Sequence, residues 1–548
     1  MKCSDSTGAT ERCSPPRELP AWQALHAHAD RLRAIHLTTL FASDPGRFER
    51  FSMRHERLVA DFSRHALDDV ALDSLFELAD QSGLRTAIKD LFSGARLNFT
   101  ENRAALHMAM RGSCPIPDMD ADNVRSTGER MRAFAHALRS GEVTGVTGRP
   151  VRRVISLGIG GSDLGPRMAV EALSRLGERS PAVSFVANVD PLELDQALDD
   201  ADPHTTLFIV SSKSFTTAET LANAHAARNW LVAALGAGAD TSAHFAAVSN
   251  APTAAAAFGI APERVFALPE WIGGRYSVWS AIGLPLMIAV GESAFDRFLE
   301  GGGSMDVHFR ATDFRENLPV IMALLGIWNT DFLDIESLAI LPYAHGLRSF
   351  PAWLQQLEME SNGKRCLRDG TTSQVATAPI VWGGTGTVGQ HAFHQLLYQG
   401  TRRVALDFIV PVGASGTSHQ ILIENAFAQA AALMSGRDLA AARKLLQTRN
   451  MPDMEIERLA PHMVCPGNQP STTLLLPDLD PYTLGQLLAL YEHKVFVQGW
   501  IWGINSFDQF GVELGKDMAR SIAGPHTDTR DASTDGLMAA AERLRKGF

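Results

Sequence analysis

Apolar residues along the chain change their spacing once, and the change divides the sequence. Over residues 22–40 and 67–84 they recur at helical intervals, so the first hundred or so residues read as helical. From Val151 onward, short β-rich runs at 153–157, 182–189, 206–210, 245–248 and 264–268 alternate with helical stretches such as 166–176 and 218–235. That alternation predicts parallel strands joined by crossover helices. A second set of runs follows at 338–342, 379–382 and 404–410, flanked by long helices at 318–333 and 419–434. The pattern predicts one α/β domain over roughly 123–288 and a second beyond it, completed by the N-terminal helices. No short-period repeat or low-complexity tract interrupts it.

Composition narrows the class. A length of 548 residues suggests two to four domains, and 45% hydrophobic with 20% charged residues fits a globular enzyme better than a disordered chain. A net charge of −11 argues against a nucleic-acid partner, although a few local donors can still bind a small anion. The five cysteines, Cys3, Cys13, Cys114, Cys366 and Cys465, are scattered without a CxxC pair, which fits a reducing compartment. Residues 1–20 mix Asp5, Glu11 and Arg12 with prolines and contain no apolar signal core. The apolar run 282–290 is too short for a membrane span and reads as a buried helix. The expectation is a cytoplasmic protein with no membrane partner.

Three loops follow predicted strands of the first α/β region. Gly158-Ile159-Gly160-Gly161-Ser162-Asp163-Leu164-Gly165-Pro166 runs from strand to helix, and glycines there let backbone N–H groups approach an anion. It fails the dinucleotide fingerprint at Asp163 and the Walker pattern at Pro166. Alone, it is equally a structural turn. Ser211-Ser212-Lys213-Ser214-Phe215-Thr216-Thr217 opens the next helix with more hydroxyls than an N-cap needs. Gly273-Gly274-Arg275 presents a guanidinium from a tight turn, or alternatively a surface salt bridge. All three lie at the carboxyl ends of predicted parallel strands, the edge where open α/β sheets bind ligands. Together they describe a site for a small phosphoester.

The second half supplies titratable groups. Residues 353–364 read as a helix closed by Asn362-Gly363, with Gln356 and Glu360 sharing a face and Glu358 an ordinary solvated carboxylate. A glycine loop at 383–389 leads into His391, a natural proton shuttle. His391 and His394 lack the pattern of a metal pair, so no metal is expected. Lys516 by itself reads as a solvated lysine.

Residues 158–166, 212–220, 273–280, 355–364, 389–393 and 509–516, taken in order, resemble the motifs of the glucose-6-phosphate isomerase family; Asn98–His107 and Ser533–Leu537 are also similar. The resemblance covers the chain from about residue 98 to near its end. It implies two sugar-isomerase-type three-layer α/β/α sandwich domains with mainly parallel sheets: a helical segment 1–122, a small phosphate-binding domain 123–288, a large domain 289–515 and a C-terminal helical arm 516–548. It implies a homodimer with shared active sites and no cofactor. The implied reaction interconverts glucose 6-phosphate and fructose 6-phosphate through a cis-enediol, in glycolysis and gluconeogenesis. Carried over by position, Ser162, Ser212, Ser214, Thr217 and the Lys213 backbone hold the phosphate. His391, from the neighbouring subunit, and Lys516 open the sugar ring; Glu360 moves the proton between carbons; Arg275 stabilises the developing charge. Gly161, Glu219, Gln356 and Gln509 complete the sugar contacts. Gly384, Thr385 and Val388 depart from the family's loop before the histidine, and Ser214 stands where threonine is common. Competing readings are a binding-only regulator of the same fold, an isomerase for another hexose phosphate, and a nucleotide-dependent enzyme.

Overall fold

The computed structural model describes residues 15–176, 180–523 and 530–547; Cys3 and Cys13 lie outside them. The described residues up to Ser506 form one compact unit, and those from Phe507 onward a second. Among the described residues no helix is long and apolar enough to cross a membrane.

The N-terminal segment is not wholly helical. The expected stretch 22–40 is broken into helices Pro20–Arg33 and Leu37–Ser43, the stretch 67–84 forms as Asp69–Gln81, and a further helix, Leu84–Ser93, follows it. Between them stands a hairpin of β1 (Ser52–His55) and β2 (Leu58–Arg64), turned at Glu56, whose φ of 52° is left-handed. Strand β2 is buried on both faces for most of its length, so it lacks the alternation that marks a half-exposed strand.

The first α/β region forms a wholly parallel sheet in the order β4-β3-β5-β6-β7. Its strands are β3 (Arg153–Leu157), β4 (Ala182–Val186), β5 (Thr206–Ser211), β6 (Phe245–Val248) and β7 (Val265–Phe266). Strand β4 stops short of the expected residue 189 because the N–H groups of Ala187 and Asn188 donate to the Glu193 carboxylate instead of a ladder partner. Ile155, Leu157, Phe208, Val210, Phe245 and Ala247 build the core with Ala224, Ala227 and Leu231 of the helix Ala218–Leu235.

The second sheet runs β1-β2-β11-β10-β8-β9, with β8 (Ser337–Pro342), β9 (Ile380–Gly383), β10 (Ala405–Pro411) and β11 (Ser471–Leu476) parallel to one another. Strand β2 joins β11 antiparallel, which brings the N-terminal hairpin onto this sheet. The apolar run 282–290 folds as the fully buried helix Leu284–Val290. The α/β expectation with mainly parallel sheets therefore holds. The unit from Phe507 consists of helices Phe510–Ala523 and Ala532–Arg545, the latter capped by Asp531 accepting from the N–H groups of Ser533 and Thr534.

Candidate active site

In the first sheet the chain leaves β3 to form β4 on one side and then crosses back to place β5 on the other. The loops after β3 and β5 thus separate and leave a crevice at the carboxyl edge, as open α/β sheets do at a topological switch. The loop after β3 turns at Gly160, whose φ is 59°, into a short 3-10 turn Gly160–Ser162 and then the helix Leu164–Ala172. Asp163 does not face this crevice as a repelling charge, because its carboxylate is buried and bonded to Arg167, which also reaches Glu193. Burial raises the Asp163 pKa and Arg167 opposes the rise.

The loop after β5 keeps its hydroxyls off the helix it precedes. Thr217 occupies the N-cap of Ala218–Leu235, yet its side chain caps nothing there. Instead Ser212 Oγ meets Thr217 Oγ1 at 3.0 Å, and Ser214 Oγ meets Thr216 Oγ1 at 2.6 Å. An 18-residue helix whose first turn has no side-chain cap, fronted by a hydroxyl cluster, favours an anion. The Lys213 side chain pairs with Glu270 at 3.0 Å, and its carbonyl accepts from Asn250 N–H and Ser249 Oγ. The backbone of Lys213 is thereby fixed beside the hydroxyls. Glu219, in the first turn of the same helix, is half-buried.

The third loop closes onto the first. Gly161 and Gly274 approach so nearly that a Cβ on Gly161 would lie 2.1 Å from the Gly274 carbonyl. The 3-10 turn Gly274–Trp279 then buries Arg275, which is 3% exposed. The surface salt-bridge alternative is excluded by that burial. Arg275 Nε donates to Ser361 Oγ at 2.6 Å, Nη2 donates to the Ser506 carbonyl at 2.6 Å, and Nη1 stands 3.7 Å from Glu360 Oε2.

Glu360 reaches this position through an unusual turn. The helix Phe350–Gln355 passes into a π-helical turn Gln356–Glu360 and ends at Asn362-Gly363, where Gly363 N–H donates to the Met359 carbonyl. Gln356 comes against the Gly160 turn, and its Oε1 is buried without a partner, an acceptor suited to a bound hydroxyl. The expectation for Glu358 is wrong. It is fully buried, accepting from Lys494 Nζ at 2.9 Å and Asn362 Nδ2 at 3.1 Å. The wider turn directs Glu358 into the core and Glu360 to Arg275.

His391 follows the short helix Gly386–Gln390 after β9 and is exposed. His394 is buried, with Nδ1 against Gln429 Oε1 at 3.1 Å. Lys516 lies exposed on the helix Phe510–Ala523, and Gln509 just precedes that helix.

The phosphoglucose isomerase family pattern matches residues 61–538. The chain belongs to the phosphoglucose isomerase family. It is 65% identical to a glucose-6-phosphate isomerase of Aromatoleum aromaticum over 98% of this chain and 99% of that protein. It is 45% identical to one from a Marinomonas species over 97% of this chain and 100% of that protein. The crystal structure of a glucose-6-phosphate isomerase from Chlamydia trachomatis has the same fold, with a TM-score of 0.83, 33% identity, and coverage of 97% of this chain and all of that one.

Among phosphoglucose isomerase motifs, sequence reading passes over the residues that brace the site. Tyr276 stacks on His107 with ring centroids 4.6 Å apart, and its hydroxyl meets Ser361 Oγ at 3.0 Å. Behind them the buried Arg111 guanidinium binds Asp306 through two nitrogens and Glu492 through the third, while Trp279 Nε1 donates to Glu492 at 2.7 Å. Burial pushes the Glu492 carboxyl up to about 7 against the pull of Arg111. Only the position of Ser361 directly after Glu360 signals a role; Arg111 and Glu492 are 381 residues apart.

Proposed function

We infer that this chain interconverts glucose 6-phosphate and fructose 6-phosphate at the crevice formed by these loops. The observation that carries the reading is Glu360 beside a buried arginine, 3.7 Å from Nη1, next to loops built for a phosphate. Proton transfer on carbon needs a base on one side and fixed positive charge near the oxygens. The hydroxyls of Ser162, Ser212, Ser214 and Thr217, with the Lys213 backbone, bind the phosphate, and that remote binding energy positions the carbons. His391 and Lys516 assist ring opening. Glu360 takes the C2 proton of the open aldose and returns it to C1, while the hydroxyl proton passes from O2 to O1. Arg275 stabilises the enediolate between these steps. Gly161, Glu219, Gln356 and Gln509 contact the sugar.

An exposed shuttle histidine is put to use when a second copy receives it, so the working form is a homodimer in which His391 completes the partner's site. The compartment is the cytoplasm, where glycolysis and gluconeogenesis use this interconversion. The test is fructose 6-phosphate formation from glucose 6-phosphate by the purified protein, with chelator present and no nucleotide. Turnover supports the reaction and its independence of metal. No turnover, with sugar phosphate still raising the melting temperature, moves the reading to another hexose phosphate or to a regulator.

A further inference from the structure

Arg275 and Glu360 are each followed by a residue bearing a hydroxyl, and the two hydroxyls meet. Ser361 Oγ receives the Arg275 Nε–H at 2.6 Å and contacts Tyr276 OH at 3.0 Å. Ser361 is completely buried, so water does not replace either contact. The Ser506 carbonyl holds Nη2 along the same side of the guanidinium, and Nη1 is the nitrogen nearest Glu360. This frame is itself held. Ser506 Oγ donates to Asn362 Oδ1 at 2.7 Å, and Asn362 Nδ2 donates to Glu358 and to the Val495 carbonyl. Lys364 Nζ closes the helix end on the Ser361 carbonyl at 2.7 Å.

We propose that Ser361 is a positioning residue of the isomerase site: its hydroxyl fixes the plane of the Arg275 guanidinium against the turn that carries Glu360. This role rests on the isomerase reading. A long arginine side chain loses rotamer freedom when it is ordered. If that ordering waited for the enediolate, it would add to the barrier; a guanidinium already fixed adds nothing at the moment charge develops. Because Ser361 is bonded in sequence to Glu360, the same contact also holds the base and the charge-stabilising group at one spacing. The tether acts on the transition state more than on the bound sugar, whose affinity comes largely from the phosphate loops.

The experiment compares wild type, Ser361→Ala and Tyr276→Phe in steady-state conversion of glucose 6-phosphate, in thermal melting, and in inhibition by 5-phosphoarabinonate, whose planar carboxylate resembles the paired oxygens of the enediolate. Deleting a direct transition-state donor costs about 10²–10³ in kcat, so loss of its tether should cost about 10- to 100-fold. KM should stay within about threefold, and affinity for 5-phosphoarabinonate should fall in step with kcat. Tyr276→Phe keeps the ring on His107 and should show a smaller loss in the same direction. A folded Ser361→Ala with kcat within twofold of wild type overturns the role, as does a loss confined to KM. If Ser361→Ala does not fold, Tyr276→Phe decides: unchanged kcat and unchanged inhibitor affinity overturn it, and a parallel fall in both supports it. A wild-type protein without turnover removes the isomerase reading itself; an active wild type with an unaffected Ser361→Ala removes only the positioning role.

Discussion

Gly161→Ala should nearly silence the protein while leaving it folded. The added Cβ would lie 2.1 Å from the Gly274 carbonyl carbon and oxygen and 2.7 Å from Arg275 N, where ordinary contact begins at 3.4 Å. The difference, about 1.3 Å, must come from parting two backbone segments, since no flexible side chain is there to yield. The segment that moves carries Arg275, whose guanidinium is held by bonds of 2.6 Å. A displacement of about 1 Å in a reacting constellation costs about 100-fold in rate, or about 2.7 kcal/mol. Overpacking should also cost about 1–3 kcal/mol of stability. The assay is glucose 6-phosphate turnover alongside thermal melting with and without sugar phosphate. Gly128→Ala is the control, because a Cβ there meets nothing within 4 Å and the position lies inside the helix Asp118–Ser140. It should keep full activity. A folded Gly161→Ala within threefold of wild-type turnover refutes the reasoning.

Further outcomes test the site and the core of the second sheet. Glu360→Gln should abolish isomerisation, by about 10³-fold or more, while sugar phosphate still raises the melting temperature; normal turnover would rule out Glu360 as the base. Mixing Glu360→Gln with His391→Ala subunits should restore part of the activity after subunit exchange, and no recovery would count against sites shared between subunits. Burial raises the Asp407 carboxyl to about 6, with Lys494 and Tyr491 pulling it down. The folded pKa lies above the unfolded one, so the native state binds the extra proton and stability from this group is lost as pH rises from about 4 through 6. Asp407→Asn should therefore gain stability over wild type at pH 8, by on the order of 3 kcal/mol, and the gain should vanish near pH 4; chemical denaturation at the two pH values checks the sign.

The sequence displays most of the scaffold because parallel strands buried on both faces write continuous apolar runs between turn residues. Strands β3 and β6 begin and end where the runs do. Strand β11 carried a usable signal, a Thr-Leu run bounded by Pro470 and Pro477, while the β1–β2 hairpin is hidden among helices and takes its meaning from pairing with residues some 400 positions later. The site divides in the same way. Local motifs reveal the hydroxyl loop, Arg275 and Glu360, since each needs only its neighbours. Local spacing from Gln356 picks out Glu360 but does not reveal that Glu358 is buried, because that depends on Lys494, 136 residues away, and on a change in helical bonding between the two carboxylates.

That change of bonding has a consequence for how the activity could be lost. A π turn holds one residue more than a regular helix through the same ends. Removing Met359 would restore ordinary bonding and leave Glu358 and Glu360 adjacent, only about 100° apart around the helix, too close to face Lys494 and Arg275 together. Glu358 is held in the core by Lys494 and Asn362, so the contact of Glu360 with Arg275 would be the one lost, while the proposed phosphate loops stayed as they are. The distance between the proposed base and its arginine is thus set by the length of one turn, and a single three-base deletion there is enough to part them.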